Sequence, residues 1–249
     1  MDTFTLSPEP ETATNQKAGG GCPAASCCGS LDLRLGDCMD VMKTFPDGHF
    51  DLAIVDPPYG LERFKKGGSH LNKHGSEKGQ WNNEKPGGEY WKELFRVSRY
   101  QIVWGGNNFD LPPSERFIVW HKPNMPEGMS FASCEYAWTN FPRPAKLFSH
   151  HSSLEERIHP TQKPVALYRW LLANYAKPGM RVLDTHLGSG SHAIAAHYAG
   201  IHLTACEIDE DYYEAAKARI ARETSQTELF IHHNSALCET QSRLTPPKP

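Results

Sequence analysis

Residues 181–222 read RVLDTHLGSG SHAIAAHYAG IHLTACEIDE DYYEAAKARI AR, and this stretch decides the fold. Arg181–Asp184 is a short apolar run that ends in an acid, and Gly188-Ser189-Gly190 then turns into the small, apolar helix predicted for Ser191–Ala199. Gly200 closes that helix, Ile201–Cys206 is a second buried run, and Glu210–Arg222 carries apolar residues at helical spacing. Strand, helix, strand, helix with short connections predicts a parallel sheet covered on both faces, a doubly wound α/β architecture.

The same vocabulary extends upstream. Leu31–Leu35 alternates apolar and charged residues as a strand does, and Gly36-Asp37 opens a short helix through Thr44. Phe50–Val55 is a nearly continuous apolar run, as expected of a strand buried on both faces. A helix near Tyr90–Val97, strands near Tyr100–Trp104, Arg116–Trp120 and Cys134–Thr139, and a helix over Val165–Ala176 stopped by Pro178-Gly179 complete one domain over residues 31–222. Residues 1–30 have almost no branched apolar side chains and predict a disordered tail, and 223–249 predict a polar C-terminal tail. Two stretches read as inserted loops, 61–89 and 141–158.

Composition narrows the function. At about 150 residues per domain, 249 residues allow one to two domains. Lys+Arg 26 against Asp+Glu 29 gives a net charge of −3, which excludes a chain coated in basic residues and confines any nucleic-acid contact to local patches. Two such patches stand out: residues 62–85 hold six Lys/Arg against three Glu, and residues 141–169 five against two. Val165–Ala176 is broken by Arg169 and Asn174, far short of the roughly 20 residues of a membrane span. No basic-then-apolar leader is visible, and seven scattered cysteines form no disulfide framework, so a cytoplasmic, reducing location is expected. Cys22, Cys27 and Cys28 match no four-ligand zinc spacing, and no metal is expected.

Three motifs carry chemistry. Asp184-Thr185-His186-Leu187-Gly188-Ser189-Gly190 lets a ligand approach the backbone and presents free N–H groups at a helix start. Glu207, at the end of the next strand, is placed to accept hydrogen bonds from ribose hydroxyls. Gly188, Gly190 and Ala193 also satisfy the dinucleotide fingerprint, but the intervening Asp184–Leu187 suits a nucleoside cofactor without a pyrophosphate better than NAD. Phe50–Val55 delivers Asp56-Pro57-Pro58-Tyr59 at its carboxyl end. Pro57 keeps Asp56 out of the helical region, leaving the Asp56 carboxylate and Pro57 carbonyl as acceptors and Tyr59 as a stacking surface for a flat base bearing an amine. Finally, His159-Pro160-Thr161-Gln162-Lys163-Pro164 places Lys163 at a helix start, where charge and dipole favour a carboxylate.

Taken together, these motifs resemble the beta class of DNA amino-methyltransferases, over about Leu31 to Arg222. The order is specific: Asp56–Tyr59 first, His159–Pro164 next, the glycine turn last, a circular permutation of the order in most methyltransferases. The resemblance implies a Rossmann-like methyltransferase fold, S-adenosylmethionine as cofactor and double-stranded DNA as partner. Asp at position 56, with Pro57, Pro58 and Tyr59, looks like the adenine-N6 members of a restriction-modification type. By the same resemblance Asp37 lies near the cofactor adenine, Glu207 on the ribose, and Thr161 and Lys163 near the methionine end, with Asp184–Gly190 shaping the pocket. The family usually has Asp-Pro-Phe before the glycines and Thr after them, where this chain has Thr185, His186 and Ser191.

Arg63, Lys65, Lys66, Lys73, Arg143 and Lys146 are the expected DNA contacts. Gln226-Thr227-Glu228-Leu229-Phe230 looks like the peptides that dock on bacterial sliding clamps, with a last helical turn or stray strand as the plainer alternative, and a homodimer stays open. The competing functions are cytosine-N4 methylation, an NAD-binding oxidoreductase, and a non-catalytic DNA-binding module.

Overall fold

The computed structural model describes residues 29–60, 85–125, 132–152, 157–159 and 161–225. Eight strands form one sheet in the order β1-β8-β7-β2-β3-β5-β4-β6. In chain order they are β1 (Leu31–Leu35), β2 (Phe50–Val55), β3 (Ser98–Trp104), β4 (Phe117–His121), β5 (Cys134–Thr139), β6 (Lys146–Ser149), β7 (Arg181–Asp184) and β8 (His202–Glu207). The helices are α1 (Cys38–Lys43), α2 (Gly88–Val97), α3 (Val165–Tyr175), α4 (Ser191–Ala199) and α5 (210–225).

From β1 through β3 every pairing is parallel, with Leu31 opposite Leu203, Leu52 opposite Val182 and Ile54 opposite Ile102. Among the described strands only β5 runs antiparallel, to both β3 and β4. The sheet is therefore mostly parallel, a doubly wound Rossmann-like α/β fold. Alternation along β2 divides the core. Ala53 and Val55 face a cluster with Tyr90, Leu94 and Val97 of α2 and Met42 of α1. Leu52 and Ile54 face the opposite cluster, with Leu167 and Leu171 of α3, Ile194 of α4 and Ile220 of α5.

Several strand boundaries shift by one or two residues from the sequence reading, and three differences bear on the expected loops and tail. The expected loop 141–158 contains β6, a short strand that pairs parallel with β4 through Ile118 opposite Lys146; four residues with alternate exposure are too brief to show a period. The 61–89 stretch gives way to α2 at Gly88, and α5 runs three residues into the expected polar tail. Among the described residues no helix is long and apolar enough to cross a membrane. The basic residues Arg63, Lys65, Lys66 and Lys73, the cysteine cluster and the segment 226–230 lie outside the described residues.

Candidate active site

A cavity of about 380 Å³ opens at the carboxyl ends of β1, β8, β7 and β2, the edge at which open α/β sheets take their ligands. Its walls come from the loops that follow those four strands, from the segment before α3 and from Tyr212 of α5. Asp37 caps α1, its Oδ1 accepting the Met39 N–H at 2.7 Å, and lines the cavity beside Cys38.

The glycine turn is held from three sides. Gly188 and Gly190 have φ of 52° and 77°, the left-handed region that favours glycine, and a Cβ at Gly190 would stand 2.9 Å from the Ile220 side chain. Glu207 Oε2 accepts the Gly188 N–H at 2.9 Å, while Oε1 accepts those of Ile208 and Asp209 at 3.0 and 3.1 Å. Burial nevertheless raises the Glu207 carboxyl above its ordinary range. From α5, the buried Arg219 donates to the Ser189 carbonyl at 3.0 Å and to Ser191 Oγ at 2.9 Å. Asp184 braces the turn from beneath: Oδ1 accepts the His186 N–H at 3.0 Å, and Oδ2 meets Nδ1 of the buried His192 at 2.9 Å. That ring stacks on Tyr168 with centroids 4.7 Å apart.

At the end of β2, Asp56 sits in a charged network that crosses the sheet. Tyr59 donates its hydroxyl to Asp56 Oδ1 at 2.5 Å, and the Lys163 ammonium donates to Oδ2. Lys163 also pairs with Glu135 Oε2 at 3.2 Å, and Lys122 holds Glu135 Oε1 at 2.5 Å. Lys163 is only 4% exposed in its side chain and Asp56 16%, so these charges interact with little screening. Burial raises Asp56 above the usual carboxylate range, with Lys163 working against it and Glu135 adding to it. For Glu135 burial also pushes upward, but Lys163 and Lys122 outweigh it and hold the carboxyl low. Burial disfavours the Lys163 charge, yet the two carboxylates keep it protonated. His159, beside Lys163, falls to about 4 through burial and the neighbouring ammonium, and is neutral at physiological pH.

Tyr59 is fixed at both ends. Its hydroxyl is tied to Asp56, and its ring lies so close to Gly105 that a Cβ there would come within 2.3 Å of Cε1. Gly105 has φ of 63°, so the turn after β3 needs glycine for its backbone as well as for this contact.

Most of the residues singled out in the sequence meet here. Asp37, Asp56, Pro58, Thr161, Lys163, Thr185, His186, Leu187, Gly188, Ser189 and Glu207 line one cavity. Pro57, Tyr59, Asp184 and Gly190 do not line it; Tyr59 and Asp184 act on residues that do. Lys163 departs from the expected free carboxylate site, because two buried carboxylates already hold its ammonium. Of the described basic candidates, Arg143 is exposed with its guanidinium 5.9 Å from the Phe141 ring, and Lys146 donates to Asn174 Oδ1 at 2.7 Å.

Glu135, Lys122, Arg219 and Tyr90 were missed. Glu135 had a readable signal: it shares a strand face with Ala137 and Thr139, both buried, and an acid on a buried face needs a cation.

The DNA methylase family model, whose name spans N6 and N4 methyltransferases, matches residues 119–218. YubD of Escherichia coli (strain K12), named as a methylase, is 27% identical over 205 residues, which is 75% of this chain and 88% of that protein. Among solved structures, a DNA modification methylase of Thermus thermophilus in complex with S-adenosyl-L-methionine is similar with a TM-score of 0.51 and 19% identity, over 78% of this chain and 94% of its own. The cytosine-N4-specific PvuII DNA methyltransferase is similar with a TM-score of 0.52 and 13% identity, over 80% and 92%. The fold is thus the Rossmann-like α/β fold that these solved methyltransferases share. The likenesses bear out the resemblance to DNA amino-methyltransferases at the level of the joint N6/N4 class, and leave the target base to be argued from the site.

Proposed function

We propose that the protein methylates the exocyclic amine of a base in double-stranded DNA from S-adenosylmethionine, with adenine N6 as the acceptor. One observation carries the reading: the Asp56 carboxylate is pinned by Tyr59 and Lys163 at the rim of a cavity walled by a glycine turn and two further carboxylates, Asp37 and Glu207.

The cavity fits the cofactor. It has the volume of a small-ligand site, and Gly188 and Gly190 leave backbone where side chains would intrude. Asp37 uses only Oδ1 in its cap, and Glu207 keeps lone pairs beyond its three backbone bonds, so both retain acceptor capacity for hydroxyls or an amine. Bound S-adenosylmethionine supplies a methyl group already activated on sulfonium. The task of the chain is then to orient the acceptor amine and stabilise the charge that develops on it.

Asp56 accepts an N–H of the amine with whichever lone pairs Tyr59 and Lys163 leave, and the Pro57 carbonyl accepts the other. Accepting both hydrogens favours a pyramidal nitrogen, frees its lone pair from the ring and stabilises the positive charge of the transition state. Lys163 works against the burial that raises Asp56, and with Tyr59 and Lys163 both donating to it Asp56 is arranged to accept. The target base must leave the duplex at a cost of a few kcal/mol, and stacking on Tyr59, worth about 1–3 kcal/mol, offsets part of that. A ring already fixed by Gly105 and Asp56 loses little freedom in doing so.

Adenine is favoured by aspartate at position 56; cytosine N4 is the second reading, since a cytosine-N4-specific enzyme shares the fold. Incubation with S-adenosylmethionine and unmethylated duplex DNA, followed by nucleoside mass spectrometry, separates them. N6-methyladenine supports the proposal, N4-methylcytosine transfers it to the second reading, and no methylated nucleoside with intact cofactor binding points to a non-catalytic module. Binding of NAD but not S-adenosylmethionine would indicate an oxidoreductase.

A further inference from the structure

His186 and Thr185 stand where the resemblance would put phenylalanine and proline, and the structure gives the pair a specific arrangement. Tyr90 of α2, buried under the sheet, has its hydroxyl 2.7 Å from Thr185 Oγ1, and that oxygen lies 2.8 Å from His186 Nδ1. The three groups form a chain that runs from the core to the cavity, where the His186 ring is part of the wall. His186 Nε2 has no partner among the described residues, and it is not one of the fully buried polar atoms left unsatisfied.

The direction of the chain follows from counting protons. If Tyr90 donates to Thr185 and Thr185 donates to His186 Nδ1, every hydroxyl proton is used and the imidazole carries its own proton on Nε2. If instead His186 Nδ1–H donates to Thr185 and Thr185 to Tyr90, the Tyr90 proton is left without an acceptor deep in the core. A third arrangement, in which both neighbours donate to Thr185, strands the threonine proton. Each alternative leaves a buried donor unsatisfied, which is the costly state for a hydrogen-bonding group.

We propose that Thr185, itself accepting from Tyr90, fixes the tautomer of His186 so that Nε2–H is presented as a hydrogen-bond donor to an acceptor atom of the bound cofactor. The inference rests on the S-adenosylmethionine reading for the identity of the ligand, but not for the tautomer. His186 is a cofactor-binding residue in this account, and Thr185 a positioning residue that acts through it. A neutral imidazole serves here without adding positive charge to a pocket that takes a sulfonium. Burial lowers the His186 ring to about 4 and outweighs the carboxylates of Asp184 and Asp37, which would raise it.

The test combines nitrogen-15 NMR of the histidines in the cofactor-free protein with calorimetric titration of S-adenosylmethionine. A two-bond 15N–1H correlation spectrum distinguishes a protonated Nε2 from a protonated Nδ1. Wild type is expected to show the Nε2–H form at His186, and Thr185→Val, which removes the donor to Nδ1, a loss of that preference. One hydrogen bond corresponds to about 3- to 10-fold in affinity, so His186→Phe and Thr185→Val should each weaken binding by up to about that factor, while His186→Gln, which keeps a donor, retains most of it. The double variant His186→Phe/Thr185→Val should bind no worse than His186→Phe, because Thr185 has nothing left to orient. A purely structural role for Thr185, or a ligand contact of its own, would make the losses add. The Nδ1–H form in wild type, or unchanged affinity in His186→Phe, overturns the proposal. Failure of wild type to bind S-adenosylmethionine overturns the cofactor reading and this ligand with it, and is told apart because the tautomer signal is read without ligand.

Discussion

Replacing Lys163 by methionine would remove the cation that bridges Asp56 and Glu135 while roughly preserving the stem that threads past Trp104, whose ring lies 5.4 Å from the ammonium. Lys122 would remain on Glu135, so the deficit falls on Asp56. Removing one member of a buried ion pair costs about 3–5 kcal/mol, because the partner charge stays behind without compensation. For a domain of this size about 2–4 °C is lost per kcal/mol, which gives a fall in Tm of about 6–20 °C. The sign with pH follows from the loss of the lowering influence of Lys163 on Asp56, a group already raised by burial. Its folded-state pKa rises further above the unfolded value, the folded protein then binds more protons, and stability falls as pH rises through the new pKa. The deficit relative to wild type should therefore be largest at mildly alkaline pH and smallest at mildly acidic pH. In the proposed mechanism Asp56 accepts in its ionised form, so the rising limb of the single-turnover rate should move to higher pH. Lys163→Met/Glu135→Gln, which removes the carboxylate that raises Asp56, should move the pH limb partly back while stability does not recover, because Lys122 loses its partner. Differential scanning calorimetry and quenched-flow methylation across the pH range measure the two effects. A Lys163→Met protein with wild-type Tm at alkaline pH and an unmoved pH limb would refute the reasoning.

Gly190→Ala should lower stability by about 1–3 kcal/mol and weaken cofactor binding in titration, because alanine resists φ of 77° and its Cβ meets Ile220 at 2.9 Å. Tyr59→Phe keeps the ring against Gly105 but removes a donor to Asp56, and should lower the methylation rate while sparing capture of the base; Tyr59→Ala should weaken both, measured with fluorescent base analogues. Neutralising Lys65 and Lys66 should reduce the slope of log affinity for DNA against log salt by about 0.9 per lost phosphate contact, and an unchanged slope would remove that pair from the interface.

The fold was legible because parallel strands buried on both faces leave nearly continuous apolar runs, as in Phe50–Val55 and, more briefly, within Arg181–Asp184 and Ile201–Cys206. The lining of the cavity was legible too, since in a doubly wound sheet the residues just after the strands gather at one edge, and Asp37, Asp56, His186 and Glu207 all follow or end a strand. What escaped were partners from elements remote in the chain. Glu135 reaches Lys163 only because β5 joins the sheet antiparallel beside β3, and Arg219 reaches Ser189 only because α5 folds back over the turn. Neither packing leaves a local pattern. The same holds for Lys163, whose position before a helix suggested a free carboxylate site until Asp56 and Glu135 proved to flank it. Strand β6 escaped for a simpler reason, having too few residues to show alternation.

The central claim is that Asp56 acts on the acceptor amine during methyl transfer rather than in holding the ligands. Single-turnover methylation by Asp56→Ala, run beside equilibrium binding of S-adenosylmethionine and of duplex DNA, tests it most directly. Loss of a positioned electrostatic group should lower the rate by about 10²–10³ with both affinities near wild type, and Asp56→Asn, which keeps an acceptor oxygen, should fall in between. A near-normal rate in Asp56→Ala would contradict the assignment of this pocket as the active site.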